Sequence, residues 1–299
     1  MLRDERFNKA GRVIKVGLWA NALLMVMKLL AGYFGKSEAV FADGVESACD
    51  SVAIMSTLVA LHIGRKPSDD DHPYGHGKAE SIAAILVALL IFATGGGILY
   101  SAVRTVMTGV YQEPRMIAVI AAMVTIVTKE ALHRVSQNVG DELGSPAVLA
   151  IAKDHHKDAV TSVATMIGVT SAFFGFKIMD PLAAGLTAFF IFHIGYESFM
   201  TAAHELMDGQ PSEELNTTIT VLAEEVEGVD HVHEIRCRRS GQYIIVDLKL
   251  DMDPQMTVKR SHSIACEVKQ RIFERFSEVG DVMIHINPHD EDHVDLIRL

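Results

Sequence analysis

Cysteine is scarce in this 299-residue sequence: there are three, Cys49, Cys237 and Cys266, far apart and without a CxxC pair. That excludes a disulfide scaffold and a thiolate metal site. Basic charge is also short, with 27 Lys and Arg against 38 Asp and Glu and a net charge of −11. A nucleic-acid binder needs a basic face, so no nucleic-acid partner is expected. The N-terminal stretch carries Arg3, Arg6, Lys9, Arg12 and Lys15. No short apolar segment with a small-residue cleavage site follows, so it does not read as a cleavable signal. Charge of either sign is missing from Ser81 to Val103 and from Ala159 to Phe176. About 20 such residues span a hydrocarbon core. A soluble enzyme is excluded, and no enzymatic activity is expected.

Apolar residues make up 49% of the chain, yet mean hydropathy is positive at +0.23, as when a greasy part is averaged with a hydrophilic one. Six apolar runs lie near 13–34, 38–63, 79–108, 116–138, 147–176 and 181–207. After Asp208-Gly209-Gln210-Pro211 acidic residues become frequent and spanning runs cease. The expected fold is an all-α six-helix transmembrane domain followed by an α+β domain. In the latter, Glu213 to Val226 and Ser261 to Phe276 have helical spacing. Val232 to Arg239, Tyr243 to Leu250 and Asp281 to Asn287 read as strands, the first two joined by the turn signal Ser240-Gly241. The order is αββαβ. The expected domains are an N-terminal tail (1–12), a six-span transmembrane domain (13–208), a linker (209–213), an α+β domain (214–290) and an acidic tail (291–299).

Six spans put both termini on one side. The N-terminal tail and the 64–78 loop hold Arg3, Arg6, Lys9, Arg12, Arg65, Lys66 and Lys78, whereas the opposite loops hold Lys36, Arg115 and Lys177. The positive-inside rule makes that shared side cytoplasmic.

The acids within the spans are the most informative residues. Asp43, Glu46 and Asp50 lie within two turns of the second run, and Glu46 and Asp50, at i and i+4, share a helix face. Asp154 and Asp158 repeat the i,i+4 pair in the fifth run. A charge at the bilayer centre costs about 3 kcal/mol or more, so these acids need a partner, a proton or a cation. Two facing pairs supply four carboxylates, enough for one divalent cation; Asp43 stands as the alternative to Glu46. In the loop Ser68-Asp-Asp-Asp-His-Pro-Tyr-Gly-His-Gly-Lys-Ala-Glu80, Asp69, His72 and His76 have the composition of a metal site. In the tail, His233, Asp247, His262 and His285 lie on separate elements that only folding can join. The run His289-Asp-Glu-Asp-His293 reads as a solvated acidic end.

Together these residues resemble the cation diffusion facilitator family of divalent-metal/proton antiporters, along nearly the whole chain. The likeness is carried by Ala42-Asp43 with Ser47 and Asp50, by His72-Pro-Tyr-Gly-His-Gly-Lys-Ala-Glu80, by Asp158-Ala-Val-Thr-Ser162 and by Leu206-Met-Asp-Gly209. The run Ala20 to Lys28, the Asn138 to Pro146 loop and His193 to Glu197 look most like the magnetosome branch. The resemblance implies a metallochaperone-like cytoplasmic tail and a transport site at Glu46, Asp50, Asp154 and Asp158. It further implies a loop site at Asp69, His72 and His76, and tail sites at His233, Asp247, His262 and His285. It also implies a homodimer with a charge interlock between Lys78 and Asp208, set among membrane lipid, with protons as counter-substrate. A heteromer with a related family member is a further partner. The membrane implied is the cell inner membrane or a magnetosome membrane derived from it.

Zinc-type members carry His at the positions of Glu46 and Asp154, where this chain has carboxylates. Carboxylate oxygen suits harder ions than imidazole does, which favours iron(II) or manganese(II) over zinc as transported and regulatory ligand. Packed carboxylates in low dielectric cannot all stay charged, so the same acids supply the proton coupling. The expected function is therefore metal efflux by proton antiport. The alternative is a membrane platform whose metal-sensing tail recruits partners, and a channel ranks third.

Overall fold

In a computed structural model of the chain, the backbone is described for residues 3–289 and side chains for 8–289. The side chains of Arg3 and Arg6, and the expected acidic tail at 291–299, lie outside the described residues. Six long helices come first: α1 (Arg3–Gly35), α2 (Glu38–Gly64), α3 (Ala79–Thr108), α4 (Met116–Leu143), α5 (Pro146–Phe173) and α6 (Met179–Leu206). At 1.5 Å per residue each spans about 40 Å or more, beyond the ~30 Å hydrocarbon core. Five of them are apolar enough to cross a membrane, and α5 is not among them. The reason is local. Lys153, Asp154, Lys157 and Asp158 crowd the first half of α5, whereas the second half carries no charge.

The chain divides into two compact units, Met1–Ser56 with Leu86–Ser198, and Thr57–Ile85 with Phe199–Leu299. In the first, small residues make the helix contacts. Ala31, Val40, Ala118, Ala121, Ala122 and Val169 form one buried cluster, and Ala42, Ala102 and Ala184 another. Association in lipid lacks a hydrophobic drive, so close backbone approach supplies dispersion contact instead. Gly32 shows how tight this is: a Cβ there would sit 2.5 Å from the backbone nitrogen of Phe41. The turn from α4 to α5 follows from its sequence. Gly144, at φ 55°, ends α4, and Ser145 caps α5 with Pro146 in its first turn.

In the second unit the tail forms α7 (Glu213–Glu224), β1 (His231–Ser240), β2 (Tyr243–Met252), α8 (Val258–Arg275) and β3 (Val279–Pro288), the expected αββαβ order. The sheet order is β1-β2-β3, antiparallel across β1/β2 and parallel across β2/β3, so α8 is the crossover that a parallel pair requires. Ile244, Val246, Leu248, Leu250 and Met252 alternate inward from β2. They meet Ile219 and Ala223 of α7 and Ile264, Val268 and Ile272 of α8 in one core. The intervening β2 residues Ile245, Asp247, Lys249 and Asp251 take the other face.

Within the same unit the loop after α2 packs on the β1–β2 turn. A Cβ on Gly77 would stand 2.4 Å from the Ser240 carbonyl oxygen, and Gly241 turns there at φ 61°. Because the obstruction is backbone, Gly77→Ala is expected to force loop and turn apart, at roughly 1–3 kcal/mol for an overpacked contact. Amide exchange across Ser240 to Tyr243 should then quicken. Exchange unchanged from the parent protein counts against this contact.

Candidate metal centre

Within the helices, α2 carries Asp43, Glu46 and Asp50, and α5 carries Asp154 and Asp158. The fold brings the two acid pairs into electrostatic range. Asp158 and Asp154 both act on Asp50, while Asp43, Asp50 and Asp158 act on Glu46. The site is not a set of four equal acids, because two buried lysines divide it. Lys28 of α1 donates to Asp43 Oδ1 at 2.9 Å and to Ser47 Oγ at 2.8 Å. The other Asp43 oxygen accepts from Ser162 Oγ at 3.4 Å. Lys28 and Asp43 are only 3% and 7% exposed in their side chains. Lys129 of α4, equally buried, pairs with Asp158. Glu46, Asp50 and Asp154 form no ion pair among the described residues, and Asp50 and Asp154 are exposed.

These lysines are what the sequence reading overlooked. An acid within a span needs a partner, a proton or a cation, and for Asp43 and Asp158 the partner is a lysine. The signal was present: a lysine inside an apolar run calls for an acid, and both Lys28 and Lys129 lie inside such runs. His155, between the acids of α5, is buried against Gly17 of α1, and neither ring nitrogen has a hydrogen-bond partner.

The loop after α2 gathers the second expected group. Asp69 Oδ1 accepts from the His72 backbone N–H at 2.7 Å and faces His72 Nδ1 at 3.1 Å. Asp69 Oδ2 lies 3.5 Å from His76 Nε2. One donor atom from each residue falls within 4.8 Å of the others, the only such trio among the described residues. The His72 backbone N–H, more than the two imidazoles, holds the Asp69 carboxyl below the usual carboxylate range. It stays an anion, as a cation ligand must. Two residues past His76, Lys78 Nζ donates to Asp208 Oδ1 at 2.6 Å, and Arg238 approaches the other oxygen at 3.7 Å.

The tail residues do not converge in one chain. His233 Nδ1 lies 3.6 Å from Asp251 Oδ2, and Asn287 donates to Asp251 Oδ1 at 3.3 Å. Asp247 and His285 share the open face of the sheet, two residues apart in register, since Asp247 pairs with Met283 and Lys249 with His285. His262 lies on α8, on the opposite layer, with its Nε2 3.5 Å from Cys266 Sγ. Cys237 is buried, and that burial, then the Asp247 charge, pushes its thiol up to about 11.

Comparison with known proteins bears on the whole chain. Residues 14–207 match the cation efflux transmembrane domain, and residues 211–289 match the cation efflux protein, cytoplasmic domain. The manganese efflux system protein MneP of Bacillus subtilis (strain 168) is 36% identical over 97% of this chain and 100% of its own length. The magnetosome protein MamB of Magnetospirillum gryphiswaldense is 32% identical over 90% of this chain and 91% of its own. A solved manganese form of a MamM C-terminal domain is 28% identical, covering 25% of this chain and 96% of that one, with a TM-score of 0.25. With a membrane-spanning helical domain and an αββαβ tail, and with relatives aligned from end to end, this chain belongs to the cation diffusion facilitator family of membrane cation-efflux proteins.

Proposed function

We propose that the protein exports manganese(II) from the cytoplasm in exchange for protons, with Glu46, Asp50, Asp154 and Asp158 as the transport site and residues 13–208 as the transport domain. The observation that carries this reading is that two i,i+4 carboxylate pairs, on α2 and α5, lie within electrostatic range of each other without a histidine in the four, although their oxygens are more widely spaced than those of the Asp69 trio. An all-oxygen site suits manganese and lacks the imidazole that favours zinc, and the likeness to a manganese efflux protein points the same way. Iron(II) is the second ion that this set suits. In the absence of metal, packed carboxylates in low dielectric cannot all stay charged, so the set holds protons. An entering cation displaces those protons, and protons arriving from the far side displace the cation.

Asp69, His72 and His76 serve as a loop site on the cytoplasmic side. Residues 214–290 dimerise and sense metal through His233, Asp247, His262 and His285, with Lys78–Asp208 as the interlock. Their placement on opposite layers of the tail supports separate sites, some completed by the partner subunit. Both termini are cytoplasmic, in the inner membrane or a magnetosome membrane.

The test is manganese uptake into vesicles carrying the purified protein under an imposed pH gradient. Uptake that collapses with the gradient supports the exchanger. Metal binding without any flux supports the membrane platform instead. Selectivity gives a finer check. Asp154→His adds one imidazole to the set and is expected to move preference from manganese towards zinc, read as the ratio of initial uptake rates. An unchanged ratio would take Asp154 out of direct contact with the ion.

A further inference from the structure

We propose that Glu130, His133 and His156 form a further divalent-cation site between α4 and α5, separate from the transport carboxylates, that takes borderline ions such as zinc or iron(II). Two imidazoles and one carboxylate are a common ligand set for such ions. The rings are arranged for it. His133 Nδ1 lies 2.8 Å from the backbone carbonyl oxygen of Ala152 on α5. A carbonyl only accepts, so Nδ1 carries the proton and Nε2 keeps its lone pair, the arrangement that second-shell contacts impose on metal-binding histidines. The His156 ring lies 4.6 Å from that of His133 at 39°, and His156 Nδ1 is 3.5 Å from Glu130 Oε2. Arg134 Nε holds the other Glu130 oxygen at 2.7 Å and so directs Oε2 towards the imidazoles.

The Asp69 loop trio repeats this geometry. Its rings are 4.4 Å apart at 41°, and its carboxylate is 3.5 Å from an imidazole nitrogen. The α4–α5 group differs in being more open, since its donor atoms do not all fall within 4.8 Å. His156, 56% exposed in its side chain, is the member with room to close it. Arg134, Lys153 and Lys157 are exposed on the same stretch, and charges there have to be solvated.

Position relates the group to transport without merging the two. Glu130 follows Lys129, the partner of Asp158. His156 is two residues from both Asp154 and Asp158, about 200° around the helix from each. A cation held here is beside the transport site, on a different face of α5.

The inference adds to the proposed transport reading, and one experiment separates their failures. The full-length protein in detergent is titrated calorimetrically with zinc alone, counting ions bound per chain. The pair His133→Ala/His156→Ala is expected to bind one fewer zinc than the parent, and Glu130→Gln to bind that zinc at least about tenfold more weakly. Asp50→Ala should retain this equivalent. An unchanged count in the double variant overturns the site, as does loss of the histidine-dependent zinc in Asp50→Ala. If the double variant does not fold, His156→Gln alone, at an exposed position, decides by the same count. Flux that persists in Asp50→Ala defeats the transport assignment and leaves the zinc count standing.

Discussion

Asp50→Ala is expected to reduce manganese flux at least ~100-fold, to the level of vesicles without protein, while the protein still inserts and unfolds at its normal temperature. Outer-shell partners of a metal are already worth about 10–100-fold, so loss of a direct ligand costs more. Asp50 is the clean member for this test because it carries no ion pair among the described residues. Its removal leaves no buried charge behind. Asp158 is different. Truncating it strands Lys129, whose side chain is 4% exposed, so Asp158→Ala combines loss of a ligand with loss of stability. Breaking a buried pair costs roughly 3–5 kcal/mol, whereas replacing both members with apolar groups is often neutral. Lys129→Met/Asp158→Ala should therefore regain the stability and remain without flux. Flux near the parent level in Asp50→Ala would move the site elsewhere; flux regained in the double variant would remove Asp158 from it.

The second large effect distinguishes Asp43 from Glu46. Asp43→Ala leaves the Lys28 ammonium, 3% exposed, hydrogen-bonded to Ser47 and the backbone carbonyl of residue 43 and without its ion-pair partner. The expected cost is again about 3–5 kcal/mol, a large share of the ~5–15 kcal/mol that holds a typical domain together. The expected signature is low yield and a much lower unfolding temperature in detergent. Lys28→Met/Asp43→Ala should restore the unfolding temperature. Glu46 has no such partner, so Glu46→Ala should leave the unfolding temperature unchanged and abolish flux. The opposite pattern, with a stable inactive Asp43→Ala and an active Glu46→Ala, would exchange their roles.

The tail was legible almost element by element. Its apolar alternation has period 2 in β2 and period 3.6 in α8, and Ser240-Gly241 marks the hairpin, so local chemistry dictates each piece. The helices were legible for a related reason: lipid cannot satisfy a backbone group, so a predominantly apolar run of spanning length forms a helix. The first half of α5 departs from the pattern because Lys153, Asp154, Lys157 and Asp158 lower its apolar content.

From the sequence alone came the helical membrane domain, the αββαβ tail, the i,i+4 acid pairs and the Asp69–His72–His76 group. Each depends on spacing within one element or one loop, where chain geometry places side chains without further information. Tertiary structure decided which acids are already neutralised. Lys28 and Asp43 are 15 residues apart, and Lys129 and Asp158 are 29 apart. No local rule pairs them; they meet because small residues let the helices approach and low dielectric penalises a lone charge. The same holds in the tail, where His262 and His285 fall on opposite layers because the α8 crossover places helix and strand on different faces of one core.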